Sequence, residues 1–304
     1  MKKFYKILSL FLGFCFIFTL LNKPISAHAD MGPKPAVDVT LKNLDKDCYI
    51  TLLSSREQYG PYFSYFEDES VEDLKQYYAS DLSDEVFMKF VNYQDKDNYY
   101  FLCYAAKLTP NNNQFRWGYY PPEPFKILIY FEDTDSFISS EIMERYAFKS
   151  YYEIDMSKNV VDGSLDVVKI NGLRKSYDYG GEILALLVRM ALTIGVELLI
   201  ALLFMLKSKK LFAKVAIVNV VTQILLNVVL NINYFYNGGL SYIILYFPLE
   251  LGVIIIESIA FMYIFNKDDD VAHPVLLAIS YAIIANLISF GVGLLLATYL
   301  PFAF

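Results

Sequence analysis

The sequence predicts a membrane protein in which a mostly β, sandwich-like extracellular domain precedes a transmembrane bundle of four α-helices. Of the 304 residues, 56% are hydrophobic and only 19% are charged, whereas a typical soluble domain has about 25% charged residues. The apolar residues are also unevenly distributed, because four long apolar runs all follow Gly181. This composition excludes intrinsic disorder, and the net charge of −7 argues against a nucleic-acid-binding protein.

Residues 1–29 are predicted to be a secretory signal peptide. Lysines near the N-terminus precede an apolar run over residues 7–21, and Ala27-His28-Ala29 then supplies a small-residue cleavage motif. Cleavage after Ala29 makes Asp30 the first residue of the mature chain. An uncleaved membrane anchor is the alternative, and either interpretation exports the segment that follows.

Residues 30–178 form the predicted extracellular domain. From Asp30 to Gly181 there are 26 acidic and 16 basic residues, a net charge of −10. Aromatic and β-branched runs bounded by turn-forming residues are typical of strands. The predicted strands are Ala36–Leu44, Cys48–Leu53, Tyr99–Leu108, Phe125–Phe131, Phe137–Ser140 and Tyr146–Ile154.

Helical spacing predicts a short insertion in this domain, formed by Val71–Tyr78 and Asp84–Tyr93. Cys48 and Cys103 lie in two predicted strands on the oxidising side of the membrane, where a disulfide can form. Their spacing permits two buried thiols equally well, so the sequence leaves this disulfide open.

Four transmembrane helices are predicted within residues 182–304. Each apolar run has about 20–25 residues, the length that a helix needs to cross a hydrocarbon layer of ~30 Å. The basic loop at residues 207–210 is expected in the cytoplasm, and the aromatic loop at residues 233–239 outside. This orientation leaves the N-terminal domain and the C-terminus outside the plasma membrane. The predicted helices span residues 182–206, 213–232, 241–265 and 275–299.

Polar residues recur at helical spacing inside these apolar runs. A charge at the centre of a bilayer costs about 2.5–3.5 kcal/mol on insertion scales, so the charged residues are expected to face the bundle interior. This argument predicts an intramembrane polar site that could hold an ion. Its candidate residues are Arg189, Glu197, Asn219, Gln223, Asn227, Glu250, Glu257 and Asn286.

Depth along the helices predicts how the charged residues pair. At 1.5 Å per residue, Arg189 and Glu250 lie about 10 and 13 Å below the outer surface, which favours an ion pair. Glu197 and Glu257 lie about 22 and 24 Å deep. Two close carboxylates in a medium of low dielectric cannot both ionise cheaply, so a proton or a cation is expected there. The alternative is that these polar groups only hold the helices together.

The sequence predicts neither an enzyme nor a cofactor or metal site. It has no HExxH, GxSxG or phosphate-binding glycine loop, and His273 is the only histidine of the mature chain. The aromatic segments Tyr59–Phe66 and Phe115–Tyr120 fit either a ligand-binding surface or a packed core, and the core is favoured because aromatic strands usually fill one.

Several segments carry a resemblance that covers nearly the whole chain. They include Ala29-Asp30-Met31-Gly32-Pro33-Lys34-Pro35, Tyr119–Pro122, Glu144–Phe148 and the spacing of Asn219, Thr222, Gln223, Asn227, Glu250 and Glu257. They resemble a family of uncharacterised multi-pass membrane proteins of clostridia-like Gram-positive bacteria. The resemblance implies the same layout and a Gram-positive plasma membrane, and it implies no activity.

Two function hypotheses follow from the sequence. In the first, the extracellular domain binds or senses an envelope or extracellular ligand, and the bundle anchors it in the lipid bilayer or connects it to a membrane partner protein. In the second, the chain is a transporter or channel subunit that uses the intramembrane polar residues as a proton or cation site. Neither hypothesis involves nucleic acid.

Overall fold

The computed structural model describes residues 32–65, 81–159, 167–204, 208–269 and 271–299, with side chains up to residue 293. The predicted signal peptide, including its cleavage site between Ala29 and Asp30, lies outside these ranges. The predicted helix Val71–Tyr78 lies outside them as well.

Two sheets form the N-terminal part, residues 32–177, which is called the β region below. One sheet has the order β12 (Leu173–Lys175), β10 (Lys149–Asp155), β1 (Ala36–Lys42) and β7 (Gln114–Trp117), with β1 and β10 parallel. The other has the order β11 (Val168–Lys169), β9 (Ser136–Ser139), β8 (Phe125–Phe131), β2 (Cys48–Ser54) and β5 (Tyr100–Phe101), and β6 (Ala106–Leu108) also pairs with β2. A small ribbon joins β3 (Gln58–Tyr59) to β4 (Tyr62–Phe63).

The inner faces of the two sheets share one hydrophobic core. Along β1, Val37, Val39 and Leu41 are buried at alternate positions and pack in the same cluster as Ile127 and Ile129 of β8. This alternation is expected of a strand with one buried face, because successive side chains point to opposite sides. The β region is therefore a two-sheet sandwich.

A helix, α1 (Asp84–Val91), covers the outer face of the larger sheet. Its first turn is capped by Ser83, whose side chain accepts a hydrogen bond from the amide of Val86 at 3.2 Å. Val86, Phe87 and Phe90 pack against the second face of β2 and β8. Both faces of these two strands are consequently buried, which explains why they are apolar without alternation.

The strand predictions are largely confirmed, and Phe125–Phe131 matches β8 residue for residue. The next predicted strand, Phe137–Ser140, corresponds to β9, which pairs antiparallel with β8 and places Phe131 opposite Ser136. The prediction of one strand over Tyr99–Leu108 is wrong, because Cys103 has a φ of 58°. This left-handed conformation interrupts the extended backbone between β5 and β6.

Cys48 and Cys103 do not form the disulfide that their spacing permitted. Both are buried thiols. Cys48 belongs to the core between the sheets, whereas Cys103 packs in the cluster beneath α1. The two side chains lie on opposite sides of the larger sheet, which keeps the sulfur atoms apart.

Three helices in the C-terminal part are long and apolar enough to cross a membrane. They are α2 (Tyr179–Leu203), α3 (Lys209–Phe265) and α4 (Pro274–Tyr299). The predicted loop at residues 233–239 is wrong, since this segment is helical except at Gly238, where φ is 78° and ψ is −178°. Such a conformation is readily available only to glycine.

Gly238 divides α3 into a first arm, residues 209–237, and a second arm, residues 239–265. The arms fold against each other, because Leu226 and Leu230 of the first arm pack in one cluster with Val253 of the second. The hydroxyl of Thr222 also donates to Oε1 of Glu257 at 2.5 Å. A single glycine thus reverses the chain where the sequence predicted a loop.

Candidate functional site

A cavity of about 710 Å³ lies between α2, α4 and the two arms of α3. This volume falls within the range of about 300–1,000 Å³ that is common for small-molecule sites. Its end nearest the β region is formed by Asp178, Glu182, Tyr234 and Gly239. The second arm and α4 supply an aromatic wall, and α2 with the first arm supplies most of the polar wall. The aromatic side chains are Tyr242, Tyr246, Phe247 and Phe290; the polar ones include Arg189, Thr193, Gln223, Asn227, Asn231, Glu250 and Ser289.

The predicted ion pair between Arg189 and Glu250 does not form, although both residues line the cavity. Arg189 instead donates from Nη2 to Oδ1 of Asn231 at 3.2 Å. Its Nε atom is buried and has no hydrogen-bond partner in the described part of the chain. Similar depth was an insufficient criterion for pairing, because the cavity separates facing helices and a neighbouring amide lies closer to the guanidinium.

A ladder of amides continues from Arg189 along the first arm. Nδ2 of Asn231 donates to the carbonyl oxygen of Asn227 at 2.8 Å, and Nδ2 of Asn227 donates to Oε1 of Gln223 at 3.3 Å. Nε2 of Gln223 then donates to Oε1 of Glu197 at 3.0 Å. The three amides recur every four residues, so they share one face of the arm. The ladder connects the cavity to a deeper carboxylate.

Glu197 and Glu257 belong to one buried hydrogen-bond network. Oε1 of Glu197 accepts from the hydroxyl of Ser289 at 3.3 Å as well as from Gln223. Oε2 of Glu257 accepts from Nδ2 of Asn286 at 2.5 Å. The relative exposures of Glu197 and Glu257 are 0% and 1%. Below, "carboxylate network" means Glu197, Glu257, Thr222, Gln223, Asn286 and Ser289.

Tyr281 braces the carboxylate network from α4. Its hydroxyl accepts from Nδ2 of Asn219 at 3.1 Å and donates to the backbone carbonyl of Glu197 at 3.1 Å. Sequence reasoning missed Tyr281, since a tyrosine in an apolar run resembles the aromatic residues that mark membrane interfaces. The spacing of Tyr242, Tyr246 and Glu250, four residues apart, places them on one helix face and was a usable signal for the cavity wall.

Three acceptor oxygens in and beside this network have no hydrogen-bond partner among the residues that the structure describes. They are Oε2 of Glu197, Oδ1 of Asn219 and Oδ1 of Asn286. Within the described residues, neither Glu197 nor Glu257 makes a salt bridge. If one carboxyl group carried a proton, its O–H group could donate a hydrogen bond to such an oxygen. The proton or cation expected between these carboxylates stays a prediction.

The eight predicted residues therefore form two groups, which hydrogen bonds connect. The first group consists of the two buried carboxylates and the amides around them: Glu197, Glu257, Asn219, Gln223 and Asn286. Arg189, Asn227 and Glu250 line the cavity, and Gln223 takes part in both.

The β region contacts the helices beside the same end of the cavity. The amide of Phe148 donates to the carbonyl of Phe235 at 2.8 Å, and the rings of Tyr177 and Phe235 lie 5.1 Å apart. Gly238 packs against the Phe148 ring so closely that an added Cβ atom would lie 2.6 Å from it. These contacts, called the junction below, join the reversal of α3 to the sandwich.

The β region itself offers less suitable ligand sites. Trp117 is fully buried and Phe115 is 2% exposed, so much of the aromatic segment Phe115–Tyr120 belongs to the core. The one buried lysine among the described residues, Lys126, pairs with Asp95 at 2.5 Å and with Asp97 at 3.0 Å. In the described part of the chain, no group of three or more His, Cys, Asp or Glu residues is placed to hold a metal ion.

Comparisons with protein families, curated proteins and solved structures find no match for this chain. The family resemblance of its sequence segments therefore stays a prediction.

Proposed function

We propose that this chain is an integral plasma-membrane protein that crosses the lipid bilayer four times and binds a small molecule in its helical bundle. A straight α3 of 57 residues would be about 85 Å long, far more than a hydrocarbon layer of ~30 Å. The reversal at Gly238 supports two crossings by α3, one for each arm. Together with α2 and α4 this makes four.

Charge supports the orientation of the bundle. Lys209, Lys210 and Lys214 cluster at the start of the first arm, whereas Asp178 and Glu182 lie at the opposite end of the bundle, beside the junction. Cytoplasmic loops are enriched in Lys and Arg. We therefore place the β region and the C-terminus outside the cell, with the cavity facing the extracellular side.

The observation that carries the binding function is the cavity itself. Its walls combine an aromatic surface with converging charges and amides, the arrangement that fixes the orientation of a small ligand. The sequence alone favoured a binding surface on the β region, whereas the structure favours one in the bundle. The chain then acts as a binding or sensing protein rather than an enzyme, and the junction would transmit occupancy of the cavity to the β region and to a membrane partner.

A matched pair of substitutions tests this proposal. Ala185 lines the cavity, whereas Ala191 is exposed on the same helix and lies outside the cavity wall. Wild-type protein, Ala185→Trp and Ala191→Trp are purified from native membranes and compared by native mass spectrometry. We expect a co-purified small molecule in the wild type and in Ala191→Trp, and its loss in Ala185→Trp. Equal occupancy in all three proteins would reject the cavity as the binding site.

A second candidate function is proton-coupled transport. The specific observation in its favour is that the amide ladder and Ser289 connect the cavity to the carboxylate network. Glu197→Gln and Glu257→Gln keep the shape of each side chain but cannot exchange a proton. We expect the double variant to retain ligand binding and to lose ligand-driven proton movement in proteoliposomes. Unchanged proton movement would eliminate this candidate.

A further inference from the structure

We propose that the ligand of the cavity is a zwitterion of the amino-acid or short-peptide type. Its carboxylate would bind Arg189 and its ammonium group would bind Glu250. This inference rests on the proposed function, because it names the class of molecule that the same cavity binds.

The first argument is that opposite charges share the cavity without pairing. Arg189 projects from α2 and Glu250 from the second arm of α3, and no salt bridge joins them. An unpaired charge inside a membrane is costly, so charged side chains there normally pair with each other or mark a ligand pathway. A molecule that carries both charges would satisfy both side chains at once.

The second argument concerns the unused hydrogen-bonding capacity of Arg189. Among the described residues, its one hydrogen bond runs from Nη2 to the amide oxygen of Asn231, and the buried Nε has no partner. A guanidinium group presents its N–H donors as a planar fork that matches a carboxylate. Because Arg189 lines the cavity, its guanidinium group has the capacity to bind the carboxylate of a ligand there.

The third argument concerns the ammonium group. Tyr246 and Tyr242 line the cavity one and two turns before Glu250, and their rings stack at 5.8 Å. The neutral side chain of Tyr246 also hydrogen-bonds Glu250. A carboxylate beside aromatic faces is a favourable setting for an organic cation. The wall that carries Glu250 is therefore suited to the positive end of the ligand.

The balance of charge argues against a ligand with one charge only. The lining includes three acidic residues, Asp178, Glu182 and Glu250, but the single basic residue Arg189. A simple anion would meet an acidic entrance, and a simple cation would leave Arg189 unpaired and add repulsion to it. A zwitterion avoids both costs, and the volume of about 710 Å³ leaves room for an apolar side chain or a second residue.

A set of probes that share a phenyl ring tests this inference on the full chain in lipid nanodiscs. L-phenylalanine and L-phenylalanyl-L-phenylalanine carry both charges, phenethylamine carries only the positive one, and 3-phenylpropionate only the negative one. Isothermal titration should show binding of at least one zwitterion, with both singly charged probes weaker by about tenfold or more. This comparison uses the wild-type protein, so it does not depend on the folding of a variant.

Two substitutions assign the charges to their partners. Arg189→Gln should remove the advantage of the zwitterion over phenethylamine, and Glu250→Gln should remove its advantage over 3-phenylpropionate. The inference is overturned if a singly charged probe binds as tightly as the zwitterions, or if neither zwitterion binds. If neither binds but Ala185→Trp still displaces a co-purified molecule, the inference fails and the proposed function stands. If Ala185→Trp displaces nothing, the proposed function fails as well.

Discussion

The β region and the helical bundle bury their polar groups in different ways. In the β region, the ammonium group of Lys126 is buried with Asp95, each side chain being 1% exposed, and a second carboxylate from Asp97 completes the contact. In the bundle, Arg189 and Glu250 share a cavity without pairing. Among the described residues, six buried side-chain atoms lack a hydrogen-bond partner, and four of them belong to Arg189, Glu197, Asn219 and Asn286.

This difference indicates where the chain has capacity to bind something. The other two unpartnered atoms are the Ser64 hydroxyl of the β region and Oδ1 of Asn233 in the first arm. Buried polar groups in proteins are usually satisfied, so a concentration of exceptions calls for an explanation. The β region satisfies its buried charge internally, as a structural core does. In the described part of the bundle, buried donors and acceptors remain without hydrogen-bond partners near a cavity, as in a binding site.

The largest expected effect follows from breaking the satisfied pair of the β region. Lys126→Met leaves Asp95 as a buried charge without its cation, which should lower the free energy of unfolding by about 3–5 kcal/mol. Urea unfolding followed by the fluorescence of Trp117, the only tryptophan, measures this region selectively. Lys169→Met is the control, because its ion pair with Glu141 is exposed to solvent and its loss should change the stability little. An equal loss of unfolding free energy in both variants would show that the buried pair of Lys126 and Asp95 does not stabilise the β region.

A second substitution tests the connection between the two regions. Gly238→Ala places a Cβ atom 2.6 Å from the Phe148 ring and requires alanine at a φ of 78°. We expect a loss of about 1–3 kcal/mol from the strained backbone alone. Gly252→Ala is the control on the same helix, since nothing lies within 4 Å of its added Cβ atom. A thermal denaturation curve that is unchanged by Gly238→Ala would contradict the role of this residue at the junction.

A matched exchange of carboxylate for amide compares the two regions directly. Asp95→Asn should destabilise the β region strongly, because Lys126 loses its buried counter-ion. Glu197→Gln should change the stability of the bundle by no more than about 1 kcal/mol, because the amide oxygen can still accept from Gln223 and Ser289 and no cation among the described residues loses a salt bridge. Thermal unfolding of the two variants measures both effects. A larger loss for Glu197→Gln than for Asp95→Asn would reverse the comparison.

The smallest effect concerns the thiols of the β region. Burial raises the pKa of the Cys48 thiol from its ordinary value of 9.0 to about 12. The neutral buried thiol therefore contributes its full stability below pH 9, and this contribution is lost as the pH rises toward the folded value of about 12. At pH 8, native protein should resist alkylation at Cys48 and Cys103, whereas unfolded protein should react at both without a reductant. A requirement for reductant would show that they form a disulfide.

The sequence predicted the features that depend on local patterns. The apolar run Phe125–Phe131 is a strand because both its faces are buried, and the common depth of Glu197 and Glu257 placed them in one network. The short strand β7 was not among the predicted strands, although the core was the favoured place for its aromatic residues Phe115 and Trp117. The features that depend on geometry across helices could not be predicted. Depth along a helix does not determine the distance across a cavity, which is why Arg189 and Glu250 were expected to pair.

The proposed binding site requires a cavity that is accessible from the extracellular side. In whole cells, Asn231→Cys should react with a membrane-impermeant methanethiosulfonate, because Asn231 lines the cavity. Val229→Cys should not react, because Val229 is exposed on the apolar outer surface of the same arm. The buried thiols Cys48 and Cys103 should add little background. Selective modification of Asn231→Cys is the predicted result, and equal modification of both variants, or of neither, would contradict the account.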